Sequence, residues 1–129
     1  MKIIFTLSLL MILSSCAPKI EKDSLVGQWQ LKKETLTINL LLKNDNSFEC
    51  SVNLEPRQIK DEKTKFWVFG MSTDFKGVGK KGQWSLNGSE LRLVSSFQSE
   101  VPTIISIESV SPQSMALNVY KKDCEFIKK

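Results

Sequence analysis

From Thr35 to Lys43 the side chains alternate, with Leu36, Ile38, Leu40 and Leu42 on one parity and Thr35, Thr37, Asn39 and Lys43 on the other. Leu41 is the one exception. Period two is the mark of a strand with one buried face, because successive side chains leave opposite sides of the pleat. Ser47 to Leu54 repeats it, with Phe48, Cys50, Val52 and Leu54 inward and Ser47, Glu49, Ser51 and Asn53 outward. Asn44-Asp45-Asn46 between them has the composition of a hairpin turn. Asn87-Gly88 joins Gln83 to Leu86 with Glu90 to Phe97 and is the strongest local hairpin signal in the chain. Thr103 to Val110 and Ser114 to Lys121 are two further β-rich runs, separated by Ser111-Pro112-Gln113.

Gly27 to Lys33, Lys65 to Met71 and Lys80 to Leu86 complete a set of eight predicted strands. No segment carries a convincing helical stripe. Glu55 to Lys65 is charged, lacks an apolar face and contains Pro56, so it reads as a long loop. Antiparallel strands with one apolar face and no helix to cover it must close into a barrel or pair as a sandwich. Short sequential hairpins favour the barrel. The expected fold is therefore all-β, an antiparallel up-and-down β-barrel of about eight strands. Within it Gly27-Gln28-Trp29-Gln30-Leu31 is echoed by Gly82-Gln83-Trp84-Ser85-Leu86, each opening a strand pair. Gly27 and Gly82 would let backbone pass close under an indole, and Trp29 and Trp84 would plug a barrel end, each needing a partner for its N–H.

Two resemblances add to this pattern. Lys2, the apolar run from Ile3 to Leu13 and the sequence Leu13-Ser14-Ser15-Cys16 resemble a bacterial lipoprotein signal, in which a lipobox directs a diacylglyceryl group onto the cysteine thiol before cleavage. That resemblance implies a signal peptide over 1–15, lipidation of Cys16, and a lipidated tether over 16–24. Several acyl chains would hold the protein on a membrane that it does not span. Ala17, where an Asp would mark inner-membrane retention, implies the outer membrane facing the periplasm. Leu25 to Trp29, followed by Gly82 to Leu86 with Leu91 and Leu93, resembles the bacterial lipocalin-like lipoproteins. It implies a lipocalin-like barrel domain over 25–129. The chain is shorter than the classical lipocalins and lacks an evident C-terminal helix, so their small-ligand activity carries over only as an expectation.

Chemistry narrows the field further. The chain has no His, which removes the commonest general base and metal ligand. No Gly-x-Ser-x-Gly elbow occurs, and the pair Asp61-Glu62 lies in the charged stretch. The reading is a protein that is not an enzyme and holds no metal or cofactor. Lys76, Lys80 and Lys81 interleave with Gly77, Gly79 and Gly82 without Walker spacing and read as a solvated turn. Lys+Arg 18 against Asp+Glu 14 is too small an excess to define a nucleic-acid surface. Beyond Cys16, the pair Cys50 and Cys124 in an oxidising compartment is expected to form a disulfide, worth about 4 kcal/mol for so long a loop. Phe66-Trp67-Val68-Phe69 holds more apolar bulk than an alternating strand can bury, which marks Phe66, Trp67 and Phe69 as candidate contacts for a ligand or partner. Two functions follow. One is a membrane-anchored barrel that binds a small apolar ligand; the alternative is a protein-interaction module, such as an inhibitor or immunity-type lipoprotein, with a filled core.

Overall fold

Eight antiparallel strands follow one another in sequence order around a closed barrel. They are β1 (Gly27–Lys33), β2 (Leu36–Leu42), β3 (Ser47–Leu54), β4 (Lys81–Asn87), β5 (Glu90–Ser95), β6 (Thr103–Val110), β7 (Ser114–Val119) and β8 (Lys122–Lys128). Among the described residues two helices accompany them, the single turn α1 (Lys22–Leu25) and the long α2 (Glu62–Val78) between β3 and β4. This computed structural model describes residues 20–55, 59–97 and 101–129. The signal peptide and Cys16 lie outside the described residues. Lys22 to Ser24, expected in the tether, belong to α1.

The barrel has the up-and-down order that the hairpin pattern predicts, but the eight strands are not the predicted eight. Lys65 to Met71 is not a strand, and Glu55 to Lys65 is not wholly a loop, because α2 starts at Glu62. Asp61 caps it, its carboxylate accepting from the N–H groups of Lys63 and Thr64, both at 3.3 Å, and from the Thr64 hydroxyl at 2.5 Å. Those bonds hold the Asp61 carboxyl below its usual range, chiefly through the Thr64 hydroxyl. Val68, Met71, Ser72, Phe75 and Val78 are the buried positions, a stripe with helical spacing. The missing strand is β8, which pairs with β7 through a turn at Tyr120 and Lys121, both at positive φ. It closes the wall by pairing Lys128 with Trp29 and Ile127 with Gln30.

Alternate strand ends define two ends of the barrel. The lower end carries α1, the β2–β3, β4–β5 and β6–β7 turns and the C-terminus. The upper end carries the β1–β2 turn, α2, the β5–β6 connection and the β7–β8 turn. Inward residues follow the predicted parity in β2 and for most of β3, with Leu36, Ile38, Leu40, Leu42, Phe48 and Cys50 buried. From α2, Val68, Met71, Phe75 and Val78 join that core. Phe75 meets Phe126 of β8 with ring centroids 5.5 Å apart, so the helix reaches across the interior. Lys122 Nζ bonds Asp74 Oδ2 at 2.9 Å and ties the outer side of α2 to β8.

The Cys50–Cys124 disulfide is not formed; both cysteines are free and buried. Parity turns both thiols inward, but β1 and β2 stand between β3 and β8 around the wall. Three interstrand steps of about 4.8 Å separate strands that a disulfide needs within about 7 Å between Cα atoms.

Candidate interaction surface

The residues marked in the sequence divide between the two ends. At the lower end Trp29 and Trp84 are buried. The Trp29 indole N–H donates to the Leu25 carbonyl at 2.8 Å, and that of Trp84 to the Lys43 carbonyl at 2.9 Å. Lys128 lies over the Trp29 ring at 5.3 Å and Lys22 over that of Trp84 at 5.4 Å, and Lys22 also bonds Asn46. The glycines before them act differently from the sequence reading. A Cβ on Gly82 would stand 1.9 Å from the Val94 carbonyl oxygen and 2.9 Å from the Phe48 ring. A Cβ on Gly27 would meet the Lys128 side chain at 2.6 Å. The close approach is thus to the neighbouring strand and to Lys128, not to the following indole.

At the upper end, helical geometry separates the aromatic run. Val68 points into the core, and Trp67 is half-buried at its edge under Lys33, whose ammonium lies 4.7 Å from the ring. Phe66 and Phe69 point outward, 81% and 49% exposed. With Thr73 and Gly77 they share one helix face at spacings of three and four residues. Thr73 and Gly77 in turn border a shallow groove of about 240 Å³ completed by Val101, Pro102 and Tyr120. Val101 and Tyr120 are 74% and 64% exposed. The surface therefore gathers apolar groups from α2, the β5–β6 connection and the β7–β8 turn. Sequence reasoning found Phe66 and Phe69 and missed Val101, which stands alone after Gln98-Ser99-Glu100, and Tyr120, which reads as the end of the strand Ser114 to Lys121; both become neighbours of α2 only when the barrel closes.

Lys63, Lys65 and Lys121 are exposed on or beside this surface. Asp74, the carboxylate lining the groove, is neutralised by Lys122. Glu62, four residues before Phe66 and exposed, shares the helix face, so the charges around these apolar groups are of both signs. Among the described residues no three His, Cys, Asp or Glu side chains converge as metal ligands. Burial alone pushes the Cys50 thiol up to about 12. Burial first, then the charges of Asp123 and Glu108, does the same for Cys124, also to about 12. Both are therefore thiols rather than nucleophilic thiolates at neutral pH. On the outer wall the Asp123 carboxylate, by hydrogen bond and then by charge, raises the pKa of Glu108. That pair is solvated. No protein-family model, curated protein or solved structure matches this chain.

Proposed function

We propose that this protein is a lipid-anchored lipoprotein of the bacterial envelope, resembling the lipocalin-like lipoproteins, whose barrel is a filled scaffold for protein recognition. The single observation that carries this reading is the contrast between inside and outside. Trp29, Phe48, Phe75 and Phe126 fill the interior without exposure, while Phe66 and Tyr120 stand in solvent at one end. A carrier of a small apolar ligand needs a continuous cavity opening at a barrel mouth. Here α2 occupies the upper mouth with its own apolar stripe, and α1 with Trp29 and Trp84 occupies the lower one.

The geometry also fits anchorage at Cys16. The described chain begins at Ile20, at the lower end, so only Ala17, Pro18 and Lys19 stand between it and the lipidated cysteine, four residue steps that reach no more than about 14 Å. The eight-residue strand β3 alone rises about 26 Å. The Phe66 and Phe69 face is then held away from the outer membrane and toward the periplasm, where a protein partner meets it. The role assigned is that of an inhibitor or immunity-type module, without catalysis, cofactor or nucleic acid.

Photo-crosslinking in cells tests this reading. Benzoylphenylalanine at Phe66 or Tyr120 should give a discrete protein adduct, and at Glu125 on the outer wall it should give none. A small apolar molecule retained in native mass spectra of the delipidated protein, with no adduct at Phe66, would return the assignment to a ligand carrier. Anchorage is tested separately: Cys16→Ser should abolish palmitate labelling and release the protein from the membrane pellet.

A further inference from the structure

The barrel wall has one incomplete seam. β3 pairs with β2 from Phe48 to Leu54, but with β4 only over Ser47, Phe48 and Glu49. Past that point the chain that would have continued β4 is wound into α2. Hydrogen-bond parity shows which backbone groups this leaves over. The Glu55 N–H donates to Thr35 O at 3.1 Å, on the β2 side, and the Cys50 N–H donates to Lys80 O at 2.7 Å, on the β4 side. Alternate residues of a strand address opposite neighbours, so Val52 and Leu54 turn their N–H and C=O groups to the β4 side. Among the described residues nothing bonds them there.

A cleft of about 540 Å³ adjoins this edge, lined by Ser51, Val52, Phe75, Lys76, Gly79 and Lys80. Its floor is apolar, and its two lysines are exposed and have no carboxylate partner among the described residues. A donor and an acceptor on each of two alternate residues, all facing one way, match an extended backbone. Two unpaired ammonium groups beside them match a carboxylate on the same segment. We infer that the free edge of β3 at Val52 and Leu54 takes up an extended, acidic peptide segment of a partner protein, added as an antiparallel strand in line with β4. This site is distinct from the Phe66 and Phe69 face and stands whether or not that face meets the same partner.

The probe is a blocked pentapeptide of alternating threonine and valine with a central glutamate, titrated into the isotope-labelled full chain carrying Cys16→Ser and followed by amide NMR. The peptide should shift the amides of Val52 and Leu54 and slow their hydrogen exchange, and its backbone N-methylated form should do neither. Val52→Pro removes one donor without touching the β2 ladder and should weaken binding about tenfold, as the loss of a hydrogen bond does. The double variant K76E and K80E should weaken the glutamate peptide and strengthen one with lysine in its place. Equal shifts with the N-methylated peptide, or saturating peptide that leaves Val52 and Leu54 unmoved, would overturn the assignment, also where Val52→Pro fails to fold. A concentration-dependent dimer protecting the same two amides would overturn it in favour of a second copy of this chain.

Discussion

The three tryptophans separate by what holds each ring. Trp29 and Trp84 are buried with their N–H groups bonded to backbone carbonyls, so truncation removes both the packing and a satisfied polar contact. Trp29→Ala and Trp84→Ala should each cost about 3 to 5 kcal/mol in urea unfolding, the range for buried aromatics. Trp67 is half-buried and held from outside by Lys33, so Trp67→Ala should cost distinctly less. A loss as large as for the other two would make it a core residue. The thiols give a second test. Cys50 and Cys124 titrate near 9.0 when unfolded and at about 12 when folded. Between those values the unfolded chain binds fewer protons, so their contribution to stability is complete below pH 9 and is lost as pH rises toward 12. The alkaline fall in melting temperature should be shallower in a C50A and C124A double variant. Thiol counting on the unreduced, denatured protein should find both cysteines free, where a bridge would leave neither.

Among the elements, α2 carries the largest departure from the alternation pattern. Phe66-Trp67-Val68-Phe69 reads locally as a strand because its residues are bulky and β-prone, and β propensity is weak against tertiary context. The helical signals were present: Asp61 three residues before Thr64, apolar residues at 68, 71, 75 and 78, and Gly79 past the end. They were diluted by Ser72 inside the stripe and by Phe66 and Phe69 outside it. Loss of the Asp61 cap should loosen the first turn of α2 in acid. Its stabilisation is full above the ordinary value of 3.8 and disappears as pH falls through the lower folded value, read by amide exchange at Lys63 and Thr64. Two glycines give opposite expectations. Gly77 has open space around it in a helix, so Gly77→Ala should stabilise by about 0.5 to 1 kcal/mol. Gly82→Ala would drive a methyl group into the Val94 carbonyl and should separate β4 from β5, which thermal melts of the two variants will tell apart.

At the scale of the whole molecule, core and surface can be varied independently if the barrel is a scaffold. Replacing Phe66 and Phe69 together by Ser should leave unfolding free energy within about 0.5 kcal/mol, as exposed substitutions do, while removing the crosslink at Tyr120. A large loss of stability would mean that this face is packed rather than presented. Alternation and turn composition determined which residues of β2 and most of β3 face inward, that hairpins turn at Asn44 to Asn46 and, one residue past the Asn87-Gly88 signal, at Gly88-Ser89, and that the strands must close on one another. These are local properties, fixed by the pleat and by turn chemistry within a few residues. Only the tertiary structure decided the rest. α2 is a helix because an open barrel mouth offers its stripe apolar surface to cover. β8 was hidden because only Cys124 and Phe126 are buried along it, and its turn at Tyr120 and Lys121 uses neither Gly nor Asn. The disulfide fails because two inward thiols on β3 and β8 are kept apart by β1 and β2. The groove brings Thr73 and Gly77, on the α2 face that begins at Phe66, against Val101 and Tyr120, and the free edge of β3 arises where β4 stops; both depend on which segments closure brings together, and no local pattern encodes that.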